Sequence, residues 1–447
     1  DDIYIGAATG HEAVLYLQDA DGTFVKSDEE LWKKEDDYED VDALFVDING
    51  DGYKDLYVVS GGNEYPLNDL HYVDRIYMND GKGNFNKGAI LGVGRMSGSK
   101  VIADDIDKDG DIDLFVGGRH VPHYYPLPAT SMILINENGQ LINKTDSIAP
   151  ELINFGMLTD AVWDDYDSDG DIDLVVVGEW MAITVFDNKE GIFAKTANPD
   201  LEKTRGWWFS LDKGDFDGDG DMDYIAGNLG LNYKYKTSEK EPFDIYYNDF
   251  DGNGNYDIVL GYYNQNKHYP LRGFSCSSQQ IPGLKDKIKK YDLFAALEID
   301  EVYGENNLKN SLHLVTDTFA STYIENLGNG RFKTRQLPNA IQLSNVNDTS
   351  IMDYNNDGNL DVLAVSNLFV SEIETPRNDA GNGLLMLGDG TGWFTSMPGN
   401  KSGFLARKDA KKVGIMKHKD NSVIVVANND DTVQFFRVGK GKYDSSF

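Results

Sequence analysis

The sequence is poorest in cysteine. Cys276 is the only one in 447 residues, so an internal disulfide framework and a cysteine-rich zinc site are both excluded. Basic residues are also scarce: 41 Lys and Arg stand against 75 Asp and Glu, a formal charge of −34. Such an excess repels phosphate backbones and anionic lipid headgroups, which excludes nucleic-acid binding through a broad basic face. No apolar run reaches the roughly 18 residues that a membrane-spanning helix needs. No secretory signal or lipidation motif opens the chain, and Asp1 leads directly into the strand-like run Ile3-Tyr4-Ile5-Gly6. The chain therefore reads as a fragment or a processed product, and its start says little about compartment.

What is present points to β structure. Hydrophobic residues make up 40%, Tyr (25) and Phe (21) far outnumber Trp (6), and 46 glycines supply tight turns. The length suits two or three average domains or one closed repeat assembly with a substantial core.

The acid is clustered. Six nine-residue segments share one pattern: DINGDGYKD from Asp47, DIDKDGDID from Asp105, DYDSDGDID from Asp165, DFDGDGDMD from Asp215, DFDGNGNYD from Asp249 and DYNNDGNLD from Asp353. Each has Asp or Asn at positions one, three and five, Gly at six and Asp at nine. Together they hold 24 Asp, about a third of all the acid, and carboxylates at that density demand a counterion. Oxygen ligands at alternate positions of a sharply turned loop suit a hard cation with six to eight ligands, Ca²⁺ and not Zn²⁺. Gly at six supplies a positive φ, and the varied position seven contributes its carbonyl. An EF-hand would need Glu at position twelve and helical flanks. This chain has Val58, Val116, Val176, Ala226, Leu260 and Ala364 there, with strand-like flanks such as Ala43-Leu44-Phe45-Val46 and Leu56-Tyr57-Val58-Val59. The sites are strand–loop–strand.

A second apolar strand and a Gly turn ending in an aromatic follow most loops, as in Arg75 to Phe85, Tyr323 to Phe332 and Leu385 to Phe394. Each unit reads as four strands, and the first loops start 58, 60 and 50 residues apart. Recurring four-stranded units that cannot bury their own faces predict an all-β, seven-bladed β-propeller of antiparallel blades, with eight blades as the alternative. The count is disturbed where the spacing falls to 34 and then rises to 104. One propeller domain over 1–447 is expected, with a small helical insertion at 275–312. There Leu284, Ile288, Tyr291, Phe294, Leu297 and Ile299 form an apolar stripe and Lys285, Lys287, Lys289 and Lys290 are exposed. The insertion either docks a partner or covers the side of the propeller.

The loops and Gly-x-Phe hairpins together resemble the FG-GAP or VCBS repeats of integrin-α-like propellers over nearly the whole chain. Asp55 to Glu64, Ala226 to Asn232, Thr318 to Ser321 and Val426 to Asp431 are more narrowly similar to the C-terminal part of large Bacteroidota FG-GAP/VCBS proteins. In those proteins a further loop precedes Asp-Ile-Tyr-Ile-Gly, so Asp2 corresponds to a ninth position. The resemblance implies up to six structural Ca²⁺ ions and assigns their ligands by position. These are Asp47, Asn49, Asp51 and Asp55; Asp105, Asp107, Asp109 and Asp113; and Asp165, Asp167, Asp169 and Asp173. They continue with Asp215, Asp217, Asp219 and Asp223; Asp249, Asp251, Asn253 and Asp257; and Asp353, Asn355, Asp357 and Asp361. The last two sets, with fewer carboxylates, are expected to bind more weakly.

Extracellular modules of this type bind Ca²⁺ with Kd of roughly 10⁻⁴–10⁻³ M, which places the chain where calcium is millimolar. Sites repeated around a ring with filled coordination spheres fit a structural role better than catalysis. Function is expected on the opposite face, in the connections that differ between repeats. These include Gly61 to Asp74 with Tyr65 and His71, Gly117 to Thr130 with Arg119, His120, His123, Tyr124 and Tyr125, and Gly178 to Trp180. Asn228 to Tyr235, Tyr262 to Arg272, and Asn367 to Asn382 with Glu372, Glu374 and Arg377 complete the face. The His120/His123 pair lacks a nearby acidic partner in sequence and is a weak transition-metal candidate. No nucleophile elbow, P-loop or H-E-x-x-H motif occurs. The leading expectation is a non-catalytic, calcium-stabilised binding or scaffold module at a bacterial cell surface or in the envelope. Its expected ligand is a protein partner at the outer membrane or a glycan. The alternative is a carbohydrate-active lyase or glycosidase that assembles carboxylates such as Glu179, Glu372 or Glu374 from different blades.

Overall fold

In the ring blades the strand after each acidic loop carries a run of apolar residues that is buried on both of its faces. In Asp55–Ser60 all six residues are buried. Side chains alternate along a strand, so Leu56 and Val58 pack with Leu15, Trp32 and Tyr77, while Tyr57 and Val59 pack with Val101, Leu114 and Val116 on the other side. The same division recurs in Asp113–His120, where Leu114 and Val116 face one neighbour and Phe115 the other, and in Asp173–Met181, where Leu174 and Val176 oppose Val175 and Val177. The core is thus a series of apolar layers between successive sheets, as expected when sheets stand radially around an axis.

The computed structural model describes residues 1–27, 30–88, 94–371, 375–419 and 421–439. It is an all-β propeller of antiparallel blades. The first blade has strands Ile3–Ile5, Val14–Gln18 and Phe24–Lys26. The second has Asp40–Val46, Asp55–Ser60, Arg75–Asn79 and Phe85–Lys87. The third has Ser97–Asp104, Asp113–His120, Met132–Asn136 and Leu141–Asn143, and the fourth Met157–Asp164, Asp173–Met181, Thr184–Lys189 and Ile192–Lys195. The fifth is discontinuous: Gly206–Gly214 and Asp223–Asn228 are completed by Thr322–Asn326 and Phe332–Gln336. Val346–Met352, Asp361–Ser366, Leu384–Gly388 and Phe394–Met397 form the sixth blade. Ala410–His418, Asn421–Asn428 and Gln434–Arg437 form the seventh.

The first blade lies between the seventh and the second. The Lys417 amide donates to Asp1 Oδ2 at 2.8 Å, and the Tyr4 hydroxyl donates to Asp40 Oδ2 at 2.9 Å. The fourth and fifth blades are joined into one eight-stranded sheet by the pairs Glu179↔Trp207 and Met181↔Gly206.

The irregular spacing has a structural cause. The Asp249 loop does not belong to a ring blade. It joins Phe243–Asn248 to Asp257–Asn264 in a separate four-stranded sheet, completed by Lys267–Pro270 and Leu312–Thr316 and inserted between the two halves of the fifth blade. Five short helices between Phe274 and Lys309 pack on this sheet. Leu284, Ile288, Phe294 and Ile299 are buried as the apolar stripe predicts, whereas Tyr291 is 67% exposed. The chain at Lys290 is extended, so the residues on either side of it do not share one helical face. Lys287 Nζ donates to the carbonyls of Glu301 and Val302 and ties two of the helices together.

Candidate metal loops and recognition face

Each acidic loop is built around its ninth residue. Asp55, Asp113, Asp173, Asp223, Asp257 and Asp361 are buried, and Oδ2 of each accepts the amide of the loop's second residue at 2.9–3.3 Å. In the five ring blades Oδ1 accepts an amide from the third strand, for example Asn136 to Asp113 and Asn188 to Asp173. One carboxylate thus joins loop and two strands. The second residue is Ile48, Ile106, Tyr166, Phe216, Phe250 or Tyr354, an apolar anchor seated in or against the core. Gly at position six has φ between 88° and 101° in all six loops, as the turn requires.

The first-position carboxylates fold inward to accept amides of their own loops, Gly52 to Asp47 and Gly358 to Asp353 among them. Four of the predicted sets bring three carboxylates together with ligand oxygens all within 4.8 Å. These are Asp105, Asp107 and Asp113; Asp165, Asp167 and Asp173; Asp215, Asp217 and Asp219; and Asp249, Asp251 and Asp257. Asp109 lies outside the first group, its Oδ1 accepting the Asp111 amide, and Asp223 outside the third, bonded to the Tyr323 hydroxyl and the Asn326 amide. The Asp47 and Asp353 loops have Asn at position three. Asn49 donates to Asp51 and Asn355 to Asp357, and neither loop gathers three carboxylates among the described residues. In the Asp249 loop, Asn253 Oδ1 accepts the Asn255 amide.

The donors fit a hard divalent cation. Every ligand is oxygen, and Asp105 Oδ1 and Asp165 Oδ1 are buried without a hydrogen-bond partner. Burial pushes the Asp113 and Asp173 carboxyls up to about 7 and those of Asp223, Asp257 and Asp361 up to about 6. A bound cation would act in the opposite sense by favouring the ionised form.

The strands nearest the axis carry a set of residues that the loop motif does not include. A bulge in each inner strand precedes Asp42, Lys100, Asp160, Ser210, Asp348 and Lys412. Lys100 Nζ lies 2.9 Å from Asp160 Oδ1, and Lys412 Nζ lies 3.0 Å from Asp348 Oδ1. Lys412 has a half-exposed side chain, and Asp348, Asp42, Asp160 and Asp212 together favour its charged form. The other oxygens of Asp160 and Asp348 accept amides from the neighbouring blades, Leu211 at 3.0 Å and Val413 at 2.8 Å. These groups brace the centre of the ring. The sequence holds a signal for them: Asp42, Lys100, Asp160, Ser210 and Asp348 each stand five residues before a loop, and so does Asp244. Asp187 is a further acidic residue outside the loop motif, gathered with Asp167 and Asp169.

Part of the expected recognition face is occupied by the inserted sheet. Trp180 stacks on Phe243 at 5.6 Å, Tyr235 stacks on Phe243 at 5.2 Å, and Tyr233 meets Phe319 edge-on. Beneath them lies Glu179, 5% exposed, accepting from Arg119 at 2.6 Å, from the Tyr125 hydroxyl at 3.0 Å and from the Trp207 indole. Burial works against its charge, yet the Arg119 guanidinium and these donors hold its carboxyl below the ordinary range. His120 is pushed down to about 4 by burial and by Arg119, while His123 Nε2 donates to the Tyr65 carbonyl at 2.9 Å. No group able to hold a metal includes either histidine among the described residues. Tyr65 stacks on His71 at 3.9 Å, Tyr124 is 43% exposed, and Arg377 pairs with Asp379. Glu372 and Glu374 lie outside the described residues.

No curated protein matches the chain. Among solved structures it is similar to the crystal structure of the V. cholerae biofilm matrix protein Bap1, at 11% identity and a TM-score of 0.36, over 96% of this chain and 81% of that one. The family model of the FG-GAP-like repeat matches residues 47–116 and 165–226, segments that span the Asp47, Asp105, Asp165 and Asp215 loops, and the chain therefore carries FG-GAP-like repeats.

Proposed function

We propose that the protein is a calcium-stabilised β-propeller that works as a binding or scaffold module at a bacterial cell surface or in the envelope. The observation that carries this reading is the dual use of the loops. Their ninth carboxylates join loop to strands through backbone amides, and in four of the loops three carboxylates bring ligand oxygens within 4.8 Å of one another. An ion there stabilises the ring and leaves recognition to the face with the unlike connections. Its ligand is a protein partner at the outer membrane or a glycan, for which exposed Tyr124 and the neighbouring Tyr65–His71 stack offer flat aromatic surface.

A glycosidase of the usual two-carboxylate type would need an acid able to trade its proton near neutral pH. Glu179 is committed to Arg119, Tyr125 and Trp207 and held ionised, which supports binding over turnover at this position. Affinity capture from envelope extracts in millimolar calcium, run beside a glycan-turnover screen, tests the proposal. A stable complex without product supports it, and product formation lost on Glu179→Gln refutes it.

A further inference from the structure

We infer that the third acidic loop holds two divalent cations, the second on Asp167, Asp169 and Asp187. This inference rests on the reading that the loops bind calcium. Asp187 lies in Thr184–Lys189, the third strand of the fourth blade, immediately before Asn188, whose amide bonds to Asp173 Oδ1. The residues preceding the corresponding partners in four other blades are Met78, Ile135, Glu325 and Leu387. Three are apolar, and Glu325 is paired with Lys333 at 2.8 Å. A carboxylate at this place is thus peculiar to the fourth and fifth blades, and only in the fourth does it join a cluster able to hold a metal.

Asp187 is 8% exposed. Lys189 Nζ lies 2.6 Å from Oδ2, but Oδ1 is buried with no hydrogen-bond partner. A buried carboxylate oxygen left without a donor carries a desolvation penalty that one largely exposed lysine on the other oxygen does not remove. Ligand oxygens of Asp187, Asp167 and Asp169 all lie within 4.8 Å of one another. Asp167 also belongs to the group with Asp165 and Asp173, where Asp165 Oδ1 is itself buried and unpartnered. Unpartnered oxygens therefore occur in both groups that share Asp167. Asp167 bridges the two ions, and Asp187 ties the third strand of the blade to the loop. Three hard carboxylates and no nitrogen or sulfur donor select calcium, with manganese as an acceptable probe.

Calcium stoichiometry by native mass spectrometry on wild type, Asp187→Asn, Asp187→Ser and Asp107→Asn tests this, with melting curves in EGTA confirming that each variant folds. Both Asp187 variants should bind one ion fewer than wild type while the loop's own ion stays, and manganese-soaked crystals of wild type should show two anomalous peaks between Asp165 and Asp187. Asp187 variants that keep every ion overturn the second site, even if they bind one of them more weakly. Wild type that binds no calcium overturns the calcium reading itself, and Asp107→Asn, which should lose one ion from the second loop, tests that reading independently of Asp187.

Discussion

Lys100 and Asp160 meet across a blade boundary, with Nζ 2.9 Å from Oδ1, on inner strands that share no hydrogen-bonded ladder. The pair is largely enclosed, at 17% and 6% side-chain exposure. Removing one partner of an enclosed ion pair leaves the other desolvated, so Lys100→Met should destabilise by about 3 kcal/mol. The double variant Lys100→Met/Asp160→Asn should recover at least half of that, since Asn keeps an acceptor for the Leu211 amide. Urea unfolding of the four members of the cycle checks it, and additive losses would refute the coupling.

Calcium removal should lower the melting temperature. Ions binding only the folded state at tenfold excess contribute about 1.4 kcal/mol each, so six sites sum to roughly 8 kcal/mol. For a chain of this length that corresponds to a shift of roughly 5–10 °C between EGTA and millimolar calcium. A calorimetric scan indifferent to EGTA would sink the structural role of the loops.

Asp74 provides a pH test away from the loops. It is 4% exposed, with Oδ1 accepting the Ser60 amide and Oδ2 the Tyr57 hydroxyl, and burial pushes its carboxyl up to about 6. A raised acid contributes stability that is complete below the unfolded value near 3.9 and is lost as pH climbs through 6. Asp74→Asn removes that dependence and should gain about 2 kcal/mol on wild type between pH 4 and pH 8. Melting curves across this range check it; a constant offset between the two proteins contradicts it.

Asn136 joins neighbouring blades. Its side-chain amide donates to the carbonyl of Ile48 in the second blade's loop at 2.8 Å and to that of Ile112 at 3.2 Å, while Asn136 itself is 1% exposed. Asn136→Ala leaves both carbonyls without this donor and should cost about 2–3 kcal/mol. If ions brace the same loop, the loss should be larger in EGTA than in calcium, which paired melts would show.

The propeller and its loops were readable because the features that make them are local. Gly52 and its equivalents need a positive φ, the carboxylates alternate, and the apolar runs after them announce strands covered on both faces. Blade membership was not local. The Asp249 loop has the same chemistry as its ring counterparts, and only the pairing of Ala226 with Thr322 reveals that it belongs to an insertion. Asp42, Lys100, Asp160 and Asp348 stand at a constant offset from the loops, yet in one dimension each resembles an isolated charge in an apolar strand. Asp187 was hidden for a different reason: its approach to Asp167 and Asp169 exists only once strand and loop fold onto each other. The aromatic connections do not act as one set: Trp180, Tyr233 and Tyr235 are taken up by packing against the inserted sheet, and Tyr262 to Pro270 forms a hairpin of that sheet itself.

The split fifth blade also sets an order of events during synthesis. Ala226 must wait for Thr322, 96 residues later, before its strand has an outer neighbour. At translation rates of roughly 5–20 residues per second, the emerging half-blade remains open for about 5–20 s. The intervening segment can form its own sheet in that interval, and the nascent polypeptide then returns to finish the interrupted blade before the sixth and seventh follow.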